Sequence, residues 1–96
     1  MTRYRISPRA RKDLSDIWDY TARQWSAEQA ARYVRLIAEA CGDLASRKIT
    51  GRPADDIREG YRKLSVGSHV LFYREDGRTV IIVRVLHNRM DVTRHL

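Results

Sequence analysis

The chain opens on a short alternation: Tyr4 and Ile6 fall on one side, Arg3 and Arg5 on the other. That pattern predicts a strand over Thr2–Ile6 with one wet face. Ser7-Pro8 follows, a capping residue and then a proline at the first helical position, where a missing N–H costs nothing. From Pro8 to about Trp25, Ala10, Leu14, Ile17, Trp18, Thr21 and Trp25 recur at steps of three and four and predict a helix with one apolar stripe. Ser26-Ala27-Glu28-Gln29 has the form of a capping box, so a second helix starts there and runs to about Arg47. Its stripe is Ala30, Tyr33, Val34, Ile37, Cys41 and Leu44. Both tryptophans read most simply as core. Gly42 lies inside the second helix and weakens its end.

Lys48 to Gly60 reads as a loop. Three strands are then expected over Tyr61–Val66, His69–Arg74 and Thr79–Leu86, with turns at Gly67-Ser68 and at Glu75-Asp76-Gly77-Arg78. Asp-Gly suits a type I′ hairpin. The expected fold class is α+β: a short N-terminal strand, an antiparallel helical hairpin and a three-stranded antiparallel meander, with the helices packed on one face of the sheet.

The last two strands break the usual alternation. Leu71 and Tyr73 oppose Val70 and Phe72. Ile81, Val83 and Val85 are expected on one side, and Val80, Ile82 and Leu86 on the other with Arg84. An antiparallel sheet with one wet face alternates apolar and polar residues. Two helices cover one face only, so the other is expected to be covered by the C-terminal tail, a second copy or a different protein.

Composition narrows the partners. The 96 residues carry a formal charge of +7, and 16 of the 19 basic residues are Arg. Arg favours bidentate pairing with carboxylate or phosphate, so an acidic peptide or a nucleic acid is the expected partner. A lone Cys41 excludes an internal disulfide and fits a cytoplasmic location and a place in the core. No apolar run reaches the roughly 20 residues of a membrane span, and no leader peptide is visible.

Candidate chemistry is sparse. His69, His87 and His95 have no metal-ligand spacing, and no phosphate-binding glycine loop or dinucleotide fingerprint occurs, so neither metal nor cofactor is expected. Asp55-Asp56 and Glu75-Asp76 sit in turns, where acids serve local hydrogen bonds. The remaining constellation is basic: Arg62, Lys63, Arg74, Arg84, His87 and Arg89. Together with His95 it permits a metal-independent ribonuclease, with a solvated basic face as the commoner reading.

In order along the chain stand Gly51-Arg52-Pro53, Asp56-Ile57-Arg58, Gly60-Tyr61-Arg62-Lys63-Leu64, the run from Gly67 to Arg74, and Val83-Arg84-Val85-Leu86-His87-Asn88-Arg89-Met90-Asp91. With the order of elements, these make the chain resemble the ParE branch of the RelE/ParE toxins over essentially its whole length. The resemblance implies one toxin domain over residues 1–96, the cytoplasmic toxin of a type II toxin–antitoxin pair. It implies a ParD-like antitoxin as hetero-oligomeric partner, operator DNA reached only through that antitoxin, and DNA gyrase as the target, without catalysis. Arg84, His87, Arg89, Met90 and Asp91 are the residues then expected to carry toxicity. Trp18, Tyr33, Arg62, Val70, Phe72 and Ile82 are those expected to meet the antitoxin. The RelE branch cleaves messenger RNA on the ribosome and often ends in a tyrosine, but no Tyr follows Tyr73 here. A ribonuclease built on His87 and Arg84, and a non-toxic binding module, stay open as alternatives.

Overall fold

The computed structural model describes residues 3–96, so Thr2 of the expected first strand lies outside the described residues. Strand β1 (Tyr4–Ile6) leads into helix α1 (Pro8–Gln24) and helix α2 (Ala27–Ala45). Strands β2 (Arg52–Pro53), β3 (Arg62–Val66), β4 (His69–Asp76) and β5 (Thr79–His87) follow, and a single helical turn, α3 (Val92–His95), closes the chain.

The helix starts are those the sequence signals. Ser7 Oγ accepts the Ala10 N–H at 3.0 Å, and Ser26 Oγ accepts the Gln29 N–H at 3.0 Å. These bonds satisfy amide donors that the first turn of a helix leaves without partners. Helix α2 passes through Gly42 and stops at Ser46, where Arg47 turns left-handed with φ +64°.

The sheet differs from expectation in two ways. It has five strands in the order β1-β5-β4-β3-β2, and it is mixed, because β1 runs parallel to β5. Alternation marks a strand but not its direction or neighbour, so the parallel pairing has no local signal. The extra strand, β2, is two residues long and contains Pro53, which is tolerated only at an edge. The close approach there explains Gly51: a Cβ at this residue would stand 2.4 Å from the Lys63 carbonyl oxygen.

A third correction concerns β5. Phe72 pairs with Arg84 but Tyr73 pairs with Ile82, so Val83 is an extra, bulged residue. The bulge resets the alternation. Val80, Ile82 and Val85 therefore share the helix-facing core with Leu71, Tyr73, Ile37, Cys41 and Leu44. Helix α1 begins at this bulge: Ser7 donates its N–H to the Ile82 carbonyl at 2.9 Å and its hydroxyl to the Val83 carbonyl at 2.7 Å.

The far face of the sheet is not an exposed apolar patch. Phe72 and Leu86 are buried there, and none of the exposed large hydrophobic residues lies on β3, β4 or β5. The tail reaches this region, where the His95 carbonyl accepts a hydrogen bond from Arg84 Nη1 at 2.6 Å. The exposed large hydrophobic residues lie instead on β1, on the helices and in the loops, at Tyr4, Trp18, Tyr20, Trp25, Leu36, Ile49 and Met90.

Candidate functional site

Beyond Ile6, β1 ends and β5 loses its neighbour, and α1 closes that edge. Asp13 accepts the Val85 N–H at 2.9 Å and holds Arg84 in a two-point pair, Nε at 2.8 Å and Nη2 at 2.9 Å. Both side chains are 13% exposed. The hydrogen bonds to Asp13 raise the Arg84 pKa further above its already high value, against the opposing effect of burial. Arg84 thus spends its guanidinium on Asp13 and the tail, so its role in this structure is structural.

Past that pair, two adjoining hollows of about 290 and 300 Å³ form a groove between α1 and the ends of β4 and β5. The hollows share Tyr20, Thr21, His69 and His87. Met90 lines one end and Trp25 the other. Trp25 is 69% exposed and Tyr20 59% exposed, a large aromatic surface for so small a protein. Trp25 leaves the core stripe because α1 ends at Gln24, and its own backbone (φ −128°, ψ −81°) is no longer helical. Ala10, Leu14, Ile17 and Thr21 suffice for the buried stripe, and Trp18, one residue past Ile17, is rotated off it.

The floor of the groove is built around Tyr33. Its hydroxyl accepts the Ser68 N–H at 3.0 Å and stands 2.6 Å from His69 Nδ1. The phenol proton then goes to His69 Nδ1, at a much shorter distance than the Val66 carbonyl at 3.4 Å. This assignment leaves His69 neutral with its proton on Nε2. Burial lowers the His69 pKa, the neighbouring His87 lowers it further, and Asp13 partly opposes them. The two imidazoles meet edge to face with centroids 5.3 Å apart. His87 Nδ1 accepts the Arg89 N–H at 3.1 Å, fixing the second ring by the same logic.

The residues expected to carry toxicity separate. His87 and Met90 line the groove, Arg84 is tied beneath its edge, Arg89 is exposed, and Asp91 caps α3 by accepting the Thr93 N–H. Of those expected to meet an antitoxin, Tyr33 lines the groove and Trp18 lies exposed on α1. Val70 is half-buried, and Arg62 holds the Gly51 carbonyl at 2.6 Å. Ile82 and Phe72 are 0% and 2% exposed, so in this chain neither offers surface to a partner. Sequence reasoning missed Tyr20, Trp25 and His69. The available signal was Trp25 itself, a large aromatic immediately before the Ser26 cap, where a helix stripe has already ended.

The family described as the ParE toxin of type II toxin–antitoxin system, parDE, matches residues 4–92. The chain belongs to the ParE toxin family. It is 50% identical to Toxin ParE1 of Mycobacterium tuberculosis (strain ATCC 25618 / H37Rv), over 99% of this chain and 98% of that one. It is 45% identical to Toxin ParE1 of Caulobacter vibrioides, over 100% and 99%. Among solved structures, the chromosomal ParDE toxin–antitoxin system from P. aeruginosa superposes with a TM-score of 0.77 at 24% identity, covering 91% of this chain and 96% of that one. That likeness is one of fold. The toxin–antitoxin complex RelBE2 from Mycobacterium tuberculosis gives a TM-score of 0.66 at 28% identity, over 91% and 98%. This ParE-family chain is therefore a toxin of the type II toxin–antitoxin class. Among the described residues, no helix is long and apolar enough to cross a membrane, and no cluster of metal-ligating side chains occurs.

Proposed function

We propose that this toxin arrests growth in the cytoplasm by binding DNA gyrase, without catalysis, and that a ParD-like antitoxin neutralises it. One observation carries the non-catalytic reading: Arg84, the cation expected to hold the phosphate in a ribonuclease, is consumed by Asp13 and the tail. A ribonuclease needs a free base, a free acid and a cation for the phosphate in one place. Both solved relatives are toxin–antitoxin systems, which supports a protein partner. The groove supports a docking place for it, with Tyr20, Trp25 and Tyr33 as aromatic anchors. Arg89 and Met90, both exposed, are the C-terminal residues assigned to target contact in this reading.

The decisive experiment is pulse-labelling of DNA and protein synthesis immediately after induction in bacteria without the antitoxin. DNA synthesis stops first under this reading, and Arg89→Ala with Met90→Ala relieves the arrest while the protein stays folded. Protein synthesis stopping first replaces gyrase with messenger RNA as the target.

A further inference from the structure

The face of the sheet turned away from the helices carries a charge pattern that no part of the proposed toxicity uses. Residues directly opposite one another on paired strands share a face. Arg52 is opposite Lys63, Lys63 opposite Phe72, and Phe72 opposite Arg84, one row across β2, β3, β4 and β5. Arg5 and Arg74 flank Ile81 in a second row across β1, β5 and β4. Arg84 is already neutralised by Asp13. Arg5, Arg52, Lys63 and Arg74 enter none of the ion pairs among the described residues. Alternation along the five strands places a single acid, Asp76, on the same face.

From Arg5 on one edge strand to Arg52 on the other is four strand spacings, roughly 19 Å. Duplex DNA presents about one negative charge per 1.7 Å of its axis. A face of that width therefore meets more phosphates than it has cations. We propose that this face is a binding site for the phosphate backbone of duplex DNA, without base recognition and without cleavage. Single-stranded nucleic acid is gripped by exposed aromatic side chains that stack on its bases. Within the strands the only aromatic residue on this face is Phe72, which is buried. Within the strands no imidazole or phenol shares the face, because His69, Tyr73 and His87 belong to the helix-facing side with Leu71 and Val85; at its margins Tyr61 lies under the Arg58 guanidinium and His95 meets Arg84 through its backbone carbonyl. The strands of the face can hold a phosphodiester but carry no acid–base pair with which to cut it. The inference does not depend on which enzyme the toxin arrests.

The test is fluorescence anisotropy of a random-sequence duplex of about 20 base pairs titrated with the purified full chain across a salt series, since each phosphate contact adds about 0.9 to the steepness of the logarithmic salt dependence. The expected result is salt-sensitive binding that weakens roughly tenfold, with a slope shallower by about two, in R52Q/R74Q. The charge-matched pair R23Q/R35Q, on the exposed helix surface, retains the parent slope, and R52K/R74K restores both affinity and slope. Absence of salt-sensitive binding overturns the proposal, as does equal weakening in the two glutamine pairs. Tighter binding of a single-stranded RNA of the same length, or displacement of the duplex by polyglutamate at equal charge, overturns it in favour of another partner.

Discussion

Asp13 does three things with one carboxylate. It completes the edge of β5 through the Val85 amide, it neutralises Arg84, and it lines the groove. Removing one partner of such a shielded pair leaves the other charge without compensation, which costs more than the intact pair contributes. Asp13→Ala is expected to lower stability by about 2–3 kcal/mol, somewhat less than for a fully buried pair. Adding Arg84→Met should recover part of that loss in urea denaturation, because the stranded guanidinium is gone. His69 gives a second expectation at this scale. Burial and His87 hold its pKa below the usual histidine value, so the unfolded chain takes up its proton first as pH falls. Stability is then fully present above the ordinary pKa of about 6.5 and declines as pH drops through it toward the folded value. Urea midpoints measured between neutral and mildly acidic pH should show this decline, and His69→Gln should flatten it.

At the scale of elements, the helical hairpin and the β3–β4 hairpin are locked together by Tyr33 and Gly67. Gly67 has φ +57°, and a Cβ there would stand 2.7 Å from the Tyr33 ring and hydroxyl. Gly67→Ala is expected to cost about 1–3 kcal/mol from backbone strain alone. It should also displace Tyr33 from His69, read as a shift of the His69 ring resonances in NMR. This lock was half visible in the sequence. The caps at Ser7 and Ser26, the α2 stripe and both closing hairpins follow from local chemistry and were legible residue by residue. The Val83 bulge was not, because an inserted residue within an apolar run changes no local pattern. It matters nonetheless, since it moves Val85 into the helix-facing core and Arg84 away from it. The groove was legible only in its C-terminal half. His87 and Met90 stood in a recognisable run, whereas Tyr20, Trp25 and His69 meet them only when three distant segments converge.

For the whole molecule, the core is small and continuous, and Cys41 reports on it. The thiol is buried, and burial raises its pKa to about 11. A thiol reagent should therefore react slowly with the native chain and rapidly in urea, at a rate that follows the opening of the core. Binding of an antitoxin should slow the reaction further, since a partner that binds only the native state makes opening rarer. A reaction rate unchanged by antitoxin would place the docking surface on a part of the molecule that opens independently of Cys41. Of the three covers expected for the second sheet face, the C-terminal tail is the one that reaches it. Two-sided hydrophobicity in β4 and β5 goes with helices on one side and the tail beside Arg84 on the other, where Phe72 and Leu86 are buried.

The pairing of β1 with β5 has a consequence for how the protein comes into being. Its first strand finds its neighbour among residues 80–82, near the other end of the chain. Synthesis proceeds at about 5–20 residues per second from the N-terminus. Until those residues are made, the nascent chain has helices but lacks Val80, Ile82 and Val85, three of the side chains those helices bury against. The edge that Asp13 closes does not yet exist, and neither does the end of the groove formed by His87 and Met90. The core and the groove therefore close only once residues 80–90 have been made, so the order in which the ribosome reads the message is itself a delay on the toxin.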